Sequence, residues 1–174
     1  MEEVEGRPIL HRAILALDEV CDRVVVVLGA EAPEPSMPAG LHVAFARDAM
    51  PDEGPLRGLH AGLDATDTAW ACVVGGDMPD LQPSVMEEML RAARETGAVA
   101  VALSDGGEAR PLPLIVASHR GRQAVATLLE AGDRSLRQLF GAVTTVVVDE
   151  PSWTSLDPDR RTLVDVDEPD DMER

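Results

Sequence analysis

The sequence predicts an α/β fold of three layers, a mainly parallel sheet with helices on both faces, built as one domain over residues 1–174. Three observations carry that expectation. Apolar runs of strand length alternate with segments of helical period, the pattern left by βαβ units. The runs VVVVL (24–28) and WACVV (70–74) are continuous rather than alternating, as in strands buried on both faces. At 174 residues, 45% apolar and 27% charged, the chain has the size and composition of one domain with a substantial interior.

Each element has its own signal. Pro8 suits the first turn of a helix whose apolar face is Ile9, Leu10, Ala13, Ile14 and Leu17. The strand at 24–28 follows, and residues 29–40, with three prolines, read as a loop. A shorter strand spans 41–45, and a helix over 55–66 sets Leu56, Leu59 and Leu63 on one side. The strand at 70–74 ends abruptly in Gly75-Gly76-Asp77-Met78-Pro79. Pro83 opens a helix to about Thr96, with Val85, Met86, Met89, Leu90 and Ala93 at helical spacing. Strands at 98–103 and 112–117, helices at 120–130 and 135–140, and a strand at 144–148 come next. The tail reads as a last short strand at 162–166 and a turn of helix after Pro169.

Charge narrows the function. The chain holds 15 Arg, no Lys and 32 acidic residues, for a net charge of −17. Such a surface repels phosphate backbones and argues against a nucleic-acid binder driven by counterion release. No apolar run reaches the roughly 18–20 residues that span a bilayer, and Met1-Glu2-Glu3 is no signal peptide. The expected location is the cytoplasm. Cys21 and Cys72 make no disulfide framework, and His11, His42, His60 and His119 are too scattered for a zinc site.

In open α/β sheets ligands bind beyond the carboxyl ends of strands, so residues just after apolar runs come first. Asp77 follows two glycines at a strand end, where a carboxylate can hold Mg²⁺, or equally cap a tight turn. Asp165 and Asp167 would share one face of the tail strand, spacing that suits a cation between them but also a solvated edge. Asp48 ends a strand and is followed by Gly54-Pro55-Leu56-Arg57-Gly58, a turn into a helix N-terminus that suits an anion or a base edge. At Ala131-Gly132-Asp133-Arg134-Ser135 one helix ends and another begins, and Arg134 with Arg137 suits a bidentate phosphate clamp or a surface ion pair.

Taken in order, EGRPILHRAI, DEGPLRGLHAGL, VVGGDMPDL, ARPLPLIV, LLEAGDRSLRQLF and LVDVDEPDDM resemble the MobA-like nucleotidyltransferases, and within them the molybdenum cofactor guanylyltransferases. The resemblance runs from about Glu5 to the C-terminus. It implies a Rossmann-like domain that joins GMP from GTP to molybdopterin, using Mg²⁺ and releasing pyrophosphate. It implies that Asp77, in the family's C/G-D-x-P motif, binds magnesium and acts in catalysis. It also implies that Gly29, Asp48, Gly54, Pro55, Leu56 and Gly58 lie about the nucleotide. Arg134, a second catalytic candidate, with Asp165 and Asp167, falls on positions tied to the pterin phosphate and the metal. Contacts with molybdoenzymes or other cofactor-biosynthesis proteins are a further implication.

Two departures stand out. The family's N-x-N-T-P is Asp165-Val166-Asp167-Glu168-Pro169 here, a form shared with cytidylyl-transferring relatives. The family's opening strand and L-A-G-G-x-S-x-R-M-G-x-D-K loop have no counterpart, and no Lys exists to replace the loop's own. The expectation is therefore a sheet without its first strand. We expect the natural polypeptide to begin upstream of Met1; an element from a second subunit is the other way to fill the place. Transfer to another base, or a binding remnant without catalysis, are the alternative functions.

Overall fold

The computed structural model describes residues 3–4, 7–37, 40–50 and 54–166. The helices form where apolar spacing put them: α1 (Ile9–Asp18), α2 (Pro55–Asp64), α3 (Pro83–Thr96), α4 (Ser118–Glu130) and α5 (Arg137–Ala142). α3 has both punctuation marks, Pro83 in its first turn and left-handed Gly97 past its end, whose N–H donates to the Ala93 carbonyl at 3.0 Å. The strands are β1 (Glu3–Val4), β2 (Arg7–Pro8), β3 (Val24–Gly29), β4 (Val43–Asp48), β5 (Trp70–Val73), β6 (Ala100–Asp105), β7 (Glu108–Ala117) and β8 (Thr145–Val148).

Three layers result because neighbouring residues of the central strands face opposite ways. Val101, Leu103 and Ile115 pack with α3 residues Val85, Met86, Met89 and Ala93. Ala100, Leu114 and Val116 pack on the other face with Leu56, Leu59, Leu63 and Val125 of α2 and α4. Both methionines of α3 are core residues, at 2% and 0% exposure.

The α/β class holds, but the sheet is mixed rather than mainly parallel. β3 pairs with β4, and β6 with β8, in parallel. β7 runs antiparallel to both β5 and β6 in the order β5-β7-β6-β8. Gly106 and Gly107, at φ 59° and 83°, close a two-residue hairpin with Asp105 opposite Glu108, and that turn reverses the chain. Pro111 and Pro113 lack N–H donors, and the β6–β7 register shifts beside them, between Ala102/Leu114 and Ser104/Ala109.

The tail strand is also corrected. Residues 161–163 form a 3-10 turn, not a strand. Asp157, only 3% exposed, accepts from the N–H groups of Arg161 (3.1 Å) and Thr162 (2.7 Å), and so closes the turn before a ladder can start. The same-face argument for Asp165 and Asp167 therefore loses its strand. Asp167, like the turn after Pro169, lies outside the described residues.

One helix carried a signal that periodicity passes over: α6 (Glu150–Thr154), capped by Asp149, whose carboxylate accepts from Ser152 N at 2.8 Å. It buries Trp153 fully, and the indole N–H donates to the Ser104 carbonyl at 2.8 Å. Trp153→Ala is expected to lower stability by about 3–5 kcal/mol, read from urea denaturation, because cavity and lost hydrogen bond add.

No ladder joins β3 to β5. Between them lies a cavity of about 590 Å³, lined also by α1 and α2.

Candidate active site

Asp77 is held by its turn. A Cβ on Gly75 would lie 2.1 Å from Asp77 Oδ1, so only glycine lets the carboxylate fold back over the turn. Met78, 4% exposed, anchors the turn in the core, while Asp77 stays exposed. The main-chain carbonyl of Asp77 accepts from Val166 N at 3.0 Å. Val166 is itself buried against Ile9, at the start of α1. The tail is thereby fastened beside Asp77, with exposed Asp165 next to the bond. Asp80 pairs with Arg12 of α1, a contact neither motif announces, which ties the loop after β5 to that helix.

The glycine turn before α2 and the loop before α5 also meet. Gly54 has φ +90°, and a Cβ there would sit 2.9 Å from the Arg134 carbonyl oxygen. Leu56 N donates to that oxygen at 3.2 Å, and Arg57 N to the Gly54 carbonyl at 3.2 Å. The Leu56 and Arg57 N–H groups at this helix start are thus engaged within the protein. What the turn presents outward is the exposed Arg134 side chain and the first turn of α2.

Gly29 and Asp48 stand directly opposite each other at the ends of β3 and β4. Asp48 is 8% exposed and accepts from Met50 N at 2.9 Å. Arg47 reaches the carbonyls of Gly29 and Ala32 and the Glu34 carboxylate (3.0 Å), so it braces the loop after β3. A second cavity, about 430 Å³, is lined by Asp48, Met50, Arg57, His60 and Asp64. Gly58, next to Arg57, borders the larger cavity instead. Asp48 and Asp77 are separated by β3 and the gap beyond it. Arg110 pairs with Asp105 at 3.6 Å, and its Nε is buried without a hydrogen-bond partner.

The sequence candidates thus form three contacts: Gly29 with Asp48, the Gly54 turn with Arg134, and Asp77 with the tail. Among the described residues no group of three His, Cys, Asp or Glu side chains is placed to hold a metal. No helix among them is long and apolar enough to cross a membrane.

A family profile described as MobA-like NTP transferase domain matches residues 1–146 of the 174. The chain belongs to the MobA-like NTP transferase family. The relative named probable molybdenum cofactor guanylyltransferase from Chloroflexus aggregans is 30% identical over 97% of this chain and 79% of its own length. Two solved structures share the MobA-like fold. Molybdopterin-guanine dinucleotide biosynthesis protein A from Archaeoglobus fulgidus superposes with a TM-score of 0.65 at 21% identity, over 75% of this chain and 65% of that one. The 2-C-methyl-D-erythritol 4-phosphate cytidylyltransferase from Thermus thermophilus gives 0.71 at 20% identity, over 97% and 87%.

Proposed function

We propose that this MobA-like chain is a molybdenum cofactor guanylyltransferase, transferring GMP from GTP to molybdopterin with release of pyrophosphate. The observation that carries the reading is the hydrogen bond from Val166 N to the Asp77 carbonyl, which brings the VVGGDMPDL and LVDVDEPDD motifs to one place. In the reaction an oxygen of the pterin's terminal phosphate attacks the α-phosphorus of GTP. The new O–P bond forms as the bond from the α-phosphorus to the bridging oxygen breaks, and pyrophosphate carries away the electron pair.

The protein's part is positioning and charge stabilisation. Asp77 and Asp165 are exposed carboxylates, the hard oxygen donors that suit Mg²⁺, and Asp167 would complete the set. Held by these carboxylates, Mg²⁺ would supply positive charge against that building on the phosphates. The Gly54-Pro55-Leu56 turn, with Gly29, Asp48 and Gly58, would seat the nucleoside. Arg134, set by its carbonyl's bond to Leu56 N, would face phosphate oxygens. On a chain of charge −17, such local cations matter for bringing two polyanions together.

The Asp165-x-Asp167 pattern supports a second reading, the same chemistry with CTP. Turnover with molybdopterin and each of four nucleoside triphosphates tests both. Pyrophosphate release with GTP alone is the expected result. Release with CTP alone moves the assignment, and molybdopterin binding with no release under any nucleotide makes the chain a binding protein.

A further inference from the structure

The tail grips the loop after β5 at two points. Val166 N donates to the Asp77 carbonyl at 3.0 Å, and Gln82 N donates to the Thr162 hydroxyl oxygen at 3.1 Å. Position 77 meets 166 and position 82 meets 162, so residues 162–166 lie antiparallel along 77–82. The first bond joins main chain to main chain and is open to almost any sequence. The second needs a side-chain acceptor, which Thr162 supplies.

Both partners of that second bond are fixed. Thr162 is fully buried at the end of a turn closed by the Asp157 carboxylate, itself 3% exposed. Gln82 precedes α3, and its carbonyl accepts from Val85 N (3.0 Å) and Met86 N (3.3 Å), so its position sets where the helix starts. Gln82 Nε2 donates to the Asp80 carbonyl at 3.0 Å, and the Asp80 carboxylate pairs with Arg12. Met78 and Leu81, each 4% exposed, bury the inner side of the loop. None of these contacts uses the Asp77 or Asp165 carboxylate, and both residues remain exposed.

We propose that Thr162 is a positioning residue: its hydroxyl, acting through Gln82 N, sets the register of the tail against the β5 loop and so holds Asp165 beside Asp77. Register matters here because Val164 is extended (φ −79°, ψ 119°), and in an extended chain a slip of one residue turns each side chain to the opposite side. Without the hydroxyl, Gln82 N loses its acceptor, and a buried site offers no water in exchange. The tail is then placed by one main-chain bond and by the burial of Val166 against Ile9. The consequence for a bound cation rests on the proposed function. The register itself does not.

Three variants of the full chain test this. Thr162→Val keeps the shape and removes the hydroxyl, and Thr162→Ser keeps the hydroxyl and removes a methyl. Val125→Ala weakens the core between α2 and α4, away from the tail. Amide hydrogen exchange at Gln82 and Val166, read by NMR, reports the clamp with no metal, nucleotide or turnover. Mn²⁺ affinity in the presence of GTP, read from the paramagnetic signal of the free ion, reports the carboxylates. In Thr162→Val both amides are expected to exchange at least about tenfold faster, and Mn²⁺ to bind about 10–100-fold more weakly. Thr162→Ser keeps the parental values of both, and Val125→Ala lowers the urea midpoint while leaving both unchanged. Parental exchange at Val166 in Thr162→Val overturns the proposal. So does a Ser variant as impaired as the Val variant, or a Val125→Ala chain that matches Thr162→Val in both readouts. Faster exchange in Thr162→Val with Mn²⁺ affinity unchanged upholds the register and counts against the proposed function, because the cation then sits away from Asp77 and Asp165.

Discussion

Asp77→Ala is expected to lower GMP transfer about 10²–10³-fold, the usual cost of removing one group that stabilises charge in the transition state. The fold is expected to survive unchanged, because the Asp77 side chain is exposed and the tail binds its carbonyl rather than its carboxylate. Urea midpoints within about 0.5 kcal/mol of the parent check that part. Asp77→Asn keeps the shape and removes the charge, so it should be nearly as inactive. An Asn variant with parental turnover would mean that the carboxylate serves only the turn over Gly75.

Gly54→Ala is the second large effect, and it acts through two terms. Gly54's backbone, at φ 90° and ψ 170°, costs a residue with a side chain about 1–3 kcal/mol. The added Cβ also meets the Arg134 carbonyl at 2.9 Å and displaces the acceptor of Leu56 N. Losing that bond adds about 1 kcal/mol. Gly40 has the same φ of +90° with no atom within 4 Å of its Cβ, so Gly40→Ala reports the backbone term alone. The Gly54 variant should therefore be the less stable of the two by about 1 kcal/mol. It should also lose about 10²-fold in transfer, since the nucleotide turn and Arg134 move together. Equal stability and activity of the two variants would uncouple Gly54 from Arg134.

Much of this architecture could be read before any coordinates. Helical periodicity placed α1 to α4 well: Leu56, Leu59, Leu63, Val85, Met86, Met89 and Ala93 are all core residues, with Leu90 packed against them. Three features needed more than periodicity. The hairpin at Gly106-Gly107 has its own signal in that dipeptide, which overrides the βαβ pattern around it. The tail reads as a strand because Val164 and Val166 alternate with Asp165 and Asp167. The deciding group, the Asp157 carboxylate, lies outside that window. The packing of Gly54 on Arg134 has no local signature at all, since it depends on α2 and α4 lying side by side.

The site was legible as separate strand-end motifs, and the fold explains how they meet. Gly29 and Asp48 become opposite partners because β3 and β4 are parallel and in register. The tail reaches Asp77 because Val166 buries itself against Ile9. Arg47 illustrates how an arginine near a strand end is used: at the end of β4 it is held by two carbonyls and Glu34. In a chain with more than twice as many acids as arginines, structural pairing is the common fate of a guanidinium.

Mn²⁺ in place of Mg²⁺, added below stoichiometry with GTP while amide NMR signals are followed, tests the shared cation site most directly. Broadening that strikes Gly75, Gly76 and Met78 together with Val164, Asp165 and Val166 is the predicted result. Broadening of one stretch while the other stays sharp would contradict it.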